Sequence, residues 1–329
     1  MNDTSLKLKT VFMTMRPPFL VLTLSIMLLL LAVSIDQAGI RILHFSFGLF
    51  ALVCIGALAA HISVNMLNEY EDYQSGLDAS TDRTPFSGGS GGLQAFSSAQ
   101  EWVAAVAYAL IGLIIALGVY FVYLRGWGLL PLGLLGVFVI LSYTSLLTRF
   151  PWLCFMASGL GFGPLMMVGG YFVLFGEFSW QVALVSLIPF FLVNNLLLIN
   201  QLPDRAADKQ FGRFNLWHRY GVSFGLKLFV LQGVLAFVVL AMAIFLGALP
   251  VAGSAGFLLL LLFVPMVHKV KYLQTAISKD AGDDALTEFE SVQNTAVWKD
   301  KLNSVMAMNV GVTILLPIVI ATGMYLSLI

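Results

Sequence analysis

Two short acidic stretches carry the residues best suited to chemistry. The first is Asn68-Glu69-Tyr70-Glu71-Asp72 followed by Gly76-Leu77-Asp78, and the second is Asn200-Gln201-Leu202-Pro203-Asp204 followed by Asp208. Both contain Asn-x-x-x-Asp, and their asparagines lie 132 positions apart (200 − 68). Residues at i and i+4 share a helix face, so Asn68 points with Asp72, and Asn200 with Asp204 and Asp208. Asp78 lies six positions beyond Asp72 and misses that face on an unbroken helix. Gly76 permits the turn that would bring it back. Carboxylates gathered this closely repel one another unless a cation neutralises them. Oxygen ligands without His or Cys favour Mg²⁺, which binds through one or two carboxylates plus substrate phosphates. Two facing clusters of this kind point to a diphosphate held between magnesium ions. The plainer alternative is a pair of polar helix ends solvating their loops. Matched spacing at both places argues against it.

These motifs must be positioned by membrane helices. The 329 residues are 59% hydrophobic and 10% charged, against about 25% charged in a soluble domain. No core of ordinary size hides that much apolar surface, so part of it faces lipid. Seventeen bases balance 17 acids, leaving no basic excess for nucleic acid. Cys54 and Cys154 lie far apart in apolar runs and imply neither a disulfide framework nor a metal knuckle.

Apolar runs near the ~20 residues needed to cross a bilayer occur at 19–35, 45–67, 102–124, 127–147, 152–176, 180–202, 223–246, 250–267 and 304–328. The expected fold is an all-α polytopic bundle of nine transmembrane helices. With a cytoplasmic N-terminus, 15 of the 17 bases fall on one side and only Arg41 and Arg125 on the other, in accord with the positive-inside rule. Only Asp36 and Glu177 of the acids lie outside. The motif-bearing second and sixth spans stand four places apart in the chain, with three spans between them, so both motifs reach the same side, as in a parallel internal repeat. The long connections 68–101, 203–222 and 268–303 fall on the cytoplasmic side, and the last reads as a charged linker. Pro189 and Pro317 read as kinks.

The chain resembles the UbiA-type superfamily of intramembrane prenyltransferases, nine-helix bundles with aspartate-rich motifs after helices two and six. The resemblance covers the whole chain as a single domain, 1–329. It rests on the nine spans, the two motifs and the tail Asp208-Lys209…Gly212-Arg213…Arg219-Tyr220-Gly221. The first motif, with Tyr-Gln-Ser-Gly-Leu-Asp, and the stretch Asp82-Arg83-Thr84-Pro85-Phe86-Ser87-Gly88-Gly89-Ser90-Gly91-Gly92 are most similar to the branch that prenylates 1,4-dihydroxy-2-naphthoate in menaquinone synthesis. Glu69 stands where many members have Asp.

The resemblance implies Mg²⁺-dependent transfer of a prenyl or polyprenyl group from its diphosphate to an aromatic acceptor. The magnesium ligands would be Asn68, Asp72, Asp78, Asn200, Asp204 and Asp208, with Asp72, Asp204 and Asp208 central to catalysis. Arg83, Lys209, Arg213 and Arg149 are candidates for the diphosphate oxygens, each with the alternative of anchoring at lipid headgroups. Tyr143 is a candidate for stacking on a carbocation or orienting the acceptor. His61 reads as a hydrogen-bonded packing residue, and the 88–92 glycines as either a phosphate cradle or a flexible loop. The expected partners are an isoprenoid diphosphate, an aromatic small molecule and the bilayer, with no nucleic acid and no obligate protein partner. The expected location is a bacterial inner membrane with the site facing the cytoplasm. Acceptors such as 4-hydroxybenzoate remain open. The rival class, a secondary transporter, places its carboxylates near the midplane; here they lie at helix ends.

Overall fold

The computed structural model describes residues 2–38, 45–80, 88–279 and 295–327. All secondary structure among them is helical. A surface helix α1 (Asp3–Thr14) is capped by the Asn2 side chain, which accepts from Ser5 N. It leads through Met15 and Arg16 into α2 (Pro17–Ala38), whose first two positions are prolines. Proline is tolerated there because the first N–H groups of a helix lack intrahelical partners anyway. Then come α3 (Phe47–Ser75), α4 (Gln100–Arg125), α5 (Leu130–Ser142), α6 (Pro151–Phe175), α7 (Trp180–Asn200), the short α8 (Arg205–Gln210), α9 (Leu216–Phe245), α10 (Val251–Lys279) and α11 (Ala296–Leu326).

Eight helices among the described residues are long and apolar enough to cross a bilayer. The ninth expected span, 127–147, is shorter. A turn at Trp127–Leu129 precedes a 13-residue helix ending at Ser142, about 20 Å of helix against a hydrocarbon core of about 30 Å. Residues 143–150 instead wind through tight turns, with Leu146 N bonded to Ser142 O and Thr148 N to Tyr143 O. Pro151 then opens α6. The expected linker 268–303 is also corrected at both ends: α10 runs on to Lys279 and α11 already begins at Ala296.

The main core joins α2, α3, α6, α7, α9, α10 and α11, with Ile26, Leu30, Met167, Ile188, Leu198, Phe229 and Leu316 fully buried. A second core packs α1 against α3 and α4 through Val11, Met66, Leu67, Leu93 and Val103. Helices α6 and α7 approach closely. A Cβ at Gly159 would lie 2.3 Å from Phe190 O, and one at Gly163 would lie 2.5 Å from Ser186 O. Small residues permit such contacts where lipid supplies no hydrophobic drive between helices. Between them α6 makes a wide π-type turn, Gly161–Leu165, around Pro164. Helices α7 and α11 continue through Pro189 and Pro317. Outward-facing Tyr123, Phe245 and Leu261 stay exposed, the pattern of side chains that meet lipid rather than water.

Candidate active site

Two helix ends and the turns after them build the site. Helix α3 stays unbroken through the first motif and stops at Ser75, where Gly76 takes a left-handed conformation (φ +82°). The short turn Leu77–Ala79 then brings Asp78 back toward Asp72, the return that the glycine allows. The second motif differs locally. Helix α7 ends at Asn200, the chain turns through Gln201–Asp204 around Pro203, and α8 begins at Arg205. Asn200, Asp204 and Asp208 therefore do not share one continuous helix.

All six residues nonetheless line one cavity of about 820 Å³, within the range of small-molecule sites. The cavity is polar at the motif end and apolar beyond. Its wall on α3 continues from Asp72 to Val53, 19 residues or about 28 Å at the helical rise. Leu117, Phe121 and Val122 of α4, Leu132 and Val139 of α5, and Phe162 and Met166 of α6 complete the apolar part.

Second partners hold the carboxylates. Asp72, buried, pairs with the Arg213 guanidinium. Asp208 accepts from Asn215 Nδ2 at 3.0 Å, and Asp78 accepts from Gln94 Nε2 at 2.7 Å. Asn68 Nδ2 lies 3.5 Å from Thr144 Oγ1. Burial raises the Asp208 carboxyl to about 6, although Arg213 and the Asn215 bond pull it down. Burial alone would lower the Arg213 guanidinium, but the charge of Asp72 and the hydrogen bond to it outweigh that and hold it above its ordinary value. Arg213 is therefore a fixed cation inside a cluster of acids.

Mg²⁺ fits this donor set. The groups are oxygen atoms of carboxylates and amides, and Asn200 Oδ1 is buried with no hydrogen-bond partner. Among the described residues no three carboxylate, imidazole or thiolate groups converge closely enough to hold a metal alone. That is the condition in which Mg²⁺ relies on phosphate oxygens to complete its shell.

Of the basic candidates, Arg213 lines the cavity, whereas Lys209 and Arg149 are exposed and do not. Arg83 lies outside the described residues. Tyr143 lines the cavity, and burial holds its phenol well above the usual value, with Cys154 as a hydrogen-bonding neighbour. His61 lines the apolar wall, its Nδ1 2.8 Å from Thr23 Oγ1 and its ring edge-on to Phe162 at 4.7 Å. Gly88 and Gly89 also face the cavity. The sequence reading missed Arg16, which lines the cavity, and the supporting Gln94, Thr144 and Asn215. The only signal at Arg16 is Arg16-Pro17-Pro18, the pattern of a helix entry. Gln94 and Asn215 carried none, because single amides have no spacing to betray them.

A model of the UbiA prenyltransferase family matches residues 30–285. The 1,4-dihydroxy-2-naphthoate octaprenyltransferase of Bacillus subtilis (strain 168) is 29% identical over 171 residues, 51% of this chain. The match spans 53% of that protein, about half its length. A solved UbiA homolog from Archaeoglobus fulgidus bound to GPP and Mg²⁺ superposes with a TM-score of 0.55 at 14% identity, covering 91% of this chain and 99% of that one. The apo structure of a UbiA homolog from Aeropyrum pernix K1 gives 0.58 at 14% identity, covering 94% and 98%. At such identities the structural likeness concerns the fold.

Proposed function

The chain belongs to the UbiA prenyltransferase family, and on that premise we propose that it transfers a prenyl or polyprenyl group from its diphosphate to an aromatic ring carbon in lipid-quinone synthesis. The reading rests on one observation above the others: both acidic motifs face a single cavity whose remaining wall is apolar for nearly the thickness of a bilayer. The naphthoate-type acceptor is supported by the first-motif pattern and by the similarity to the Bacillus subtilis protein.

Asn68, Asp72, Asp78, Asn200, Asp204 and Asp208 would hold Mg²⁺, which supplies charge neutralisation for a diphosphate leaving group. The chain's own groups do the rest. Arg213, released from Asp72, donates to diphosphate oxygens. The allylic carbon–oxygen bond then breaks with its electron pair going to the diphosphate. The apolar wall excludes the water that would otherwise capture the prenyl cation. The neutral Tyr143 ring, on the wall near Asp208 and Arg213, offers its π-face to that cation. An electron-rich ring carbon of the acceptor attacks, and the ring loses a proton. The site faces the cytoplasm in this reading, the side richer in Lys and Arg, and the membrane is a bacterial inner membrane.

The test supplies protein in nanodiscs with a polyprenyl diphosphate, Mg²⁺ and a panel of aromatic acceptors, and follows prenylated product. Product with 1,4-dihydroxy-2-naphthoate is expected, lowered at least ~100-fold in Asp72→Asn and Asp204→Asn, the scale of losing charge stabilisation at a leaving group. Full activity in both variants would overturn the site, and no product with any acceptor would overturn the function.

A further inference from the structure

Glu69 belongs to the first acidic motif by sequence, yet it does not line the cavity. Its carboxylate is fully buried and holds two other segments. Arg16 donates to Oε1 through Nε at 2.7 Å and Nη2 at 2.6 Å. Ser90 donates its backbone N–H to Oε1 at 2.6 Å and its hydroxyl to Oε2 at 2.8 Å. Both carboxylate oxygens are thereby engaged by protein donors.

Each held segment reaches the cavity. Arg16 lines it and adopts φ +53°, the one non-glycine residue with positive φ among the described residues. A conformation that L-residues disfavour persists only where surrounding contacts enforce it. The Glu69 bonds and the Asn65 Nδ2 bond to Met15 O at 3.1 Å supply that enforcement. On the other side, Ser90 follows Gly89, whose φ is +74° and whose Cβ, if present, would stand 3.0 Å from Asp78 Oδ2. The loop thus rests against the Asp78 carboxylate, and Gln94, just beyond it, bonds that same carboxylate.

We propose that Glu69 is a positioning residue and not a magnesium ligand. It ties the Arg16 turn and the 88–90 loop to α3 and so sets the place of Asp78 at the mouth of the diphosphate chamber. The proposal rests on the prenyl-transfer reading for its kinetic consequence, but its structural core can be read without turnover.

Hydrogen exchange of the metal-free protein in nanodiscs supplies that second reading. Glu69→Gln replaces one acceptor oxygen with a donor and cannot take all four bonds. Amide protection over 88–95 is expected to fall at least tenfold in Glu69→Gln and in the milder Ser90→Ala, and to persist in Asp72→Asn. Kinetically, Glu69→Gln is expected to raise KM for the prenyl diphosphate about tenfold with kcat within threefold, and to shift the Mg²⁺ half-saturation by less than Asp72→Asn does, because Asp78 is displaced while every ligand remains. The double variant Glu69→Gln/Ser90→Ala is expected to be no worse than Glu69→Gln, because both remove one contact. Unchanged protection in both variants, additive kinetic losses, or a Mg²⁺ half-saturation shifted as far as in Asp72→Asn would each overturn the proposal. Lost protection in a protein inactive toward every acceptor would retain the clamp and reject the prenyl-transfer reading instead.

Discussion

The pairing of Arg213 with Asp72 makes a prediction whose sign is unusual: removing a cation from the site should strengthen metal binding. The guanidinium sits against Asp72 at the place an ion held by that carboxylate would need, with the Asp72 and Arg213 side chains 8% and 17% exposed. A divalent ion entering at Asp72 must first displace that contact. Coupling energies for close charge pairs run from about 1.5 to 7 kcal/mol. The lower end applies here, because Arg213 keeps some exposure and retains the nearby Asp208 charge once displaced. A cost of about 2 kcal/mol corresponds to roughly 30-fold in affinity. Arg213→Met keeps an unbranched apolar stem and removes the charge. Calorimetric titration of the purified protein with Mn²⁺ or Mg²⁺, without diphosphate, should therefore show affinity rising on the order of tenfold to 30-fold. The same variant should bind the Mg²⁺–diphosphate complex more weakly, since it has lost a donor to phosphate oxygens. Metal affinity that is unchanged or weaker in Arg213→Met would refute the idea that Arg213 holds the place of the ion.

The Asp208 carboxyl, raised by burial from 3.8 to about 6, gives the metal-free protein a pH dependence of defined sign. The folded state holds its proton to higher pH than the unfolded state, so this residue's contribution to stability falls as pH rises from about 4 to 6 and stays low above that window. Thermal melting of wild type and Asp208→Asn across pH 4–7.5 should show a shallower fall in the variant than in wild type. Gly159→Ala drives a Cβ toward Phe190 O and Asn194 Oδ1, both at 2.3 Å, and should lower stability by about 1–3 kcal/mol. Gly112→Ala in α4 meets nothing within 4 Å and should be neutral or stabilising by up to ~1 kcal/mol. Melting temperatures of the two variants check the contrast. Lys209→Ala and Arg149→Ala, at exposed positions outside the cavity, should change KM for the diphosphate by less than threefold, whereas Arg213→Ala should raise it more than tenfold.

The sequence by itself determined the class of molecule and the two ends of its chemistry. Apolar runs of bilayer length are a local property, so eight of the nine expected spans fall on long helices, most of their boundaries within a few residues. The paired Asn-x-x-x-Asp spacing is likewise local, and Gly76 announced the turn that returns Asp78. What failed depended on partners distant in the chain. The fourth span shortens because residues 143–150 are folded into turns that carry Tyr143 and Thr148 to the cavity, although Leu146 and Leu147 extend the apolar run that far. The second motif breaks at Pro203, yet α8 restores Asp208 to the same cavity. The sequence also grouped Lys209 and Arg149 with the phosphate donors and said of Glu69 only that it replaces an Asp, since composition records residue type without direction. Only the packed helices decided direction. A turn of 100° per residue along α3 sends Asn68 and Asp72 into the cavity and Glu69 out toward Arg16 and Ser90, and no count of acids along the chain contains that angle relative to its neighbours.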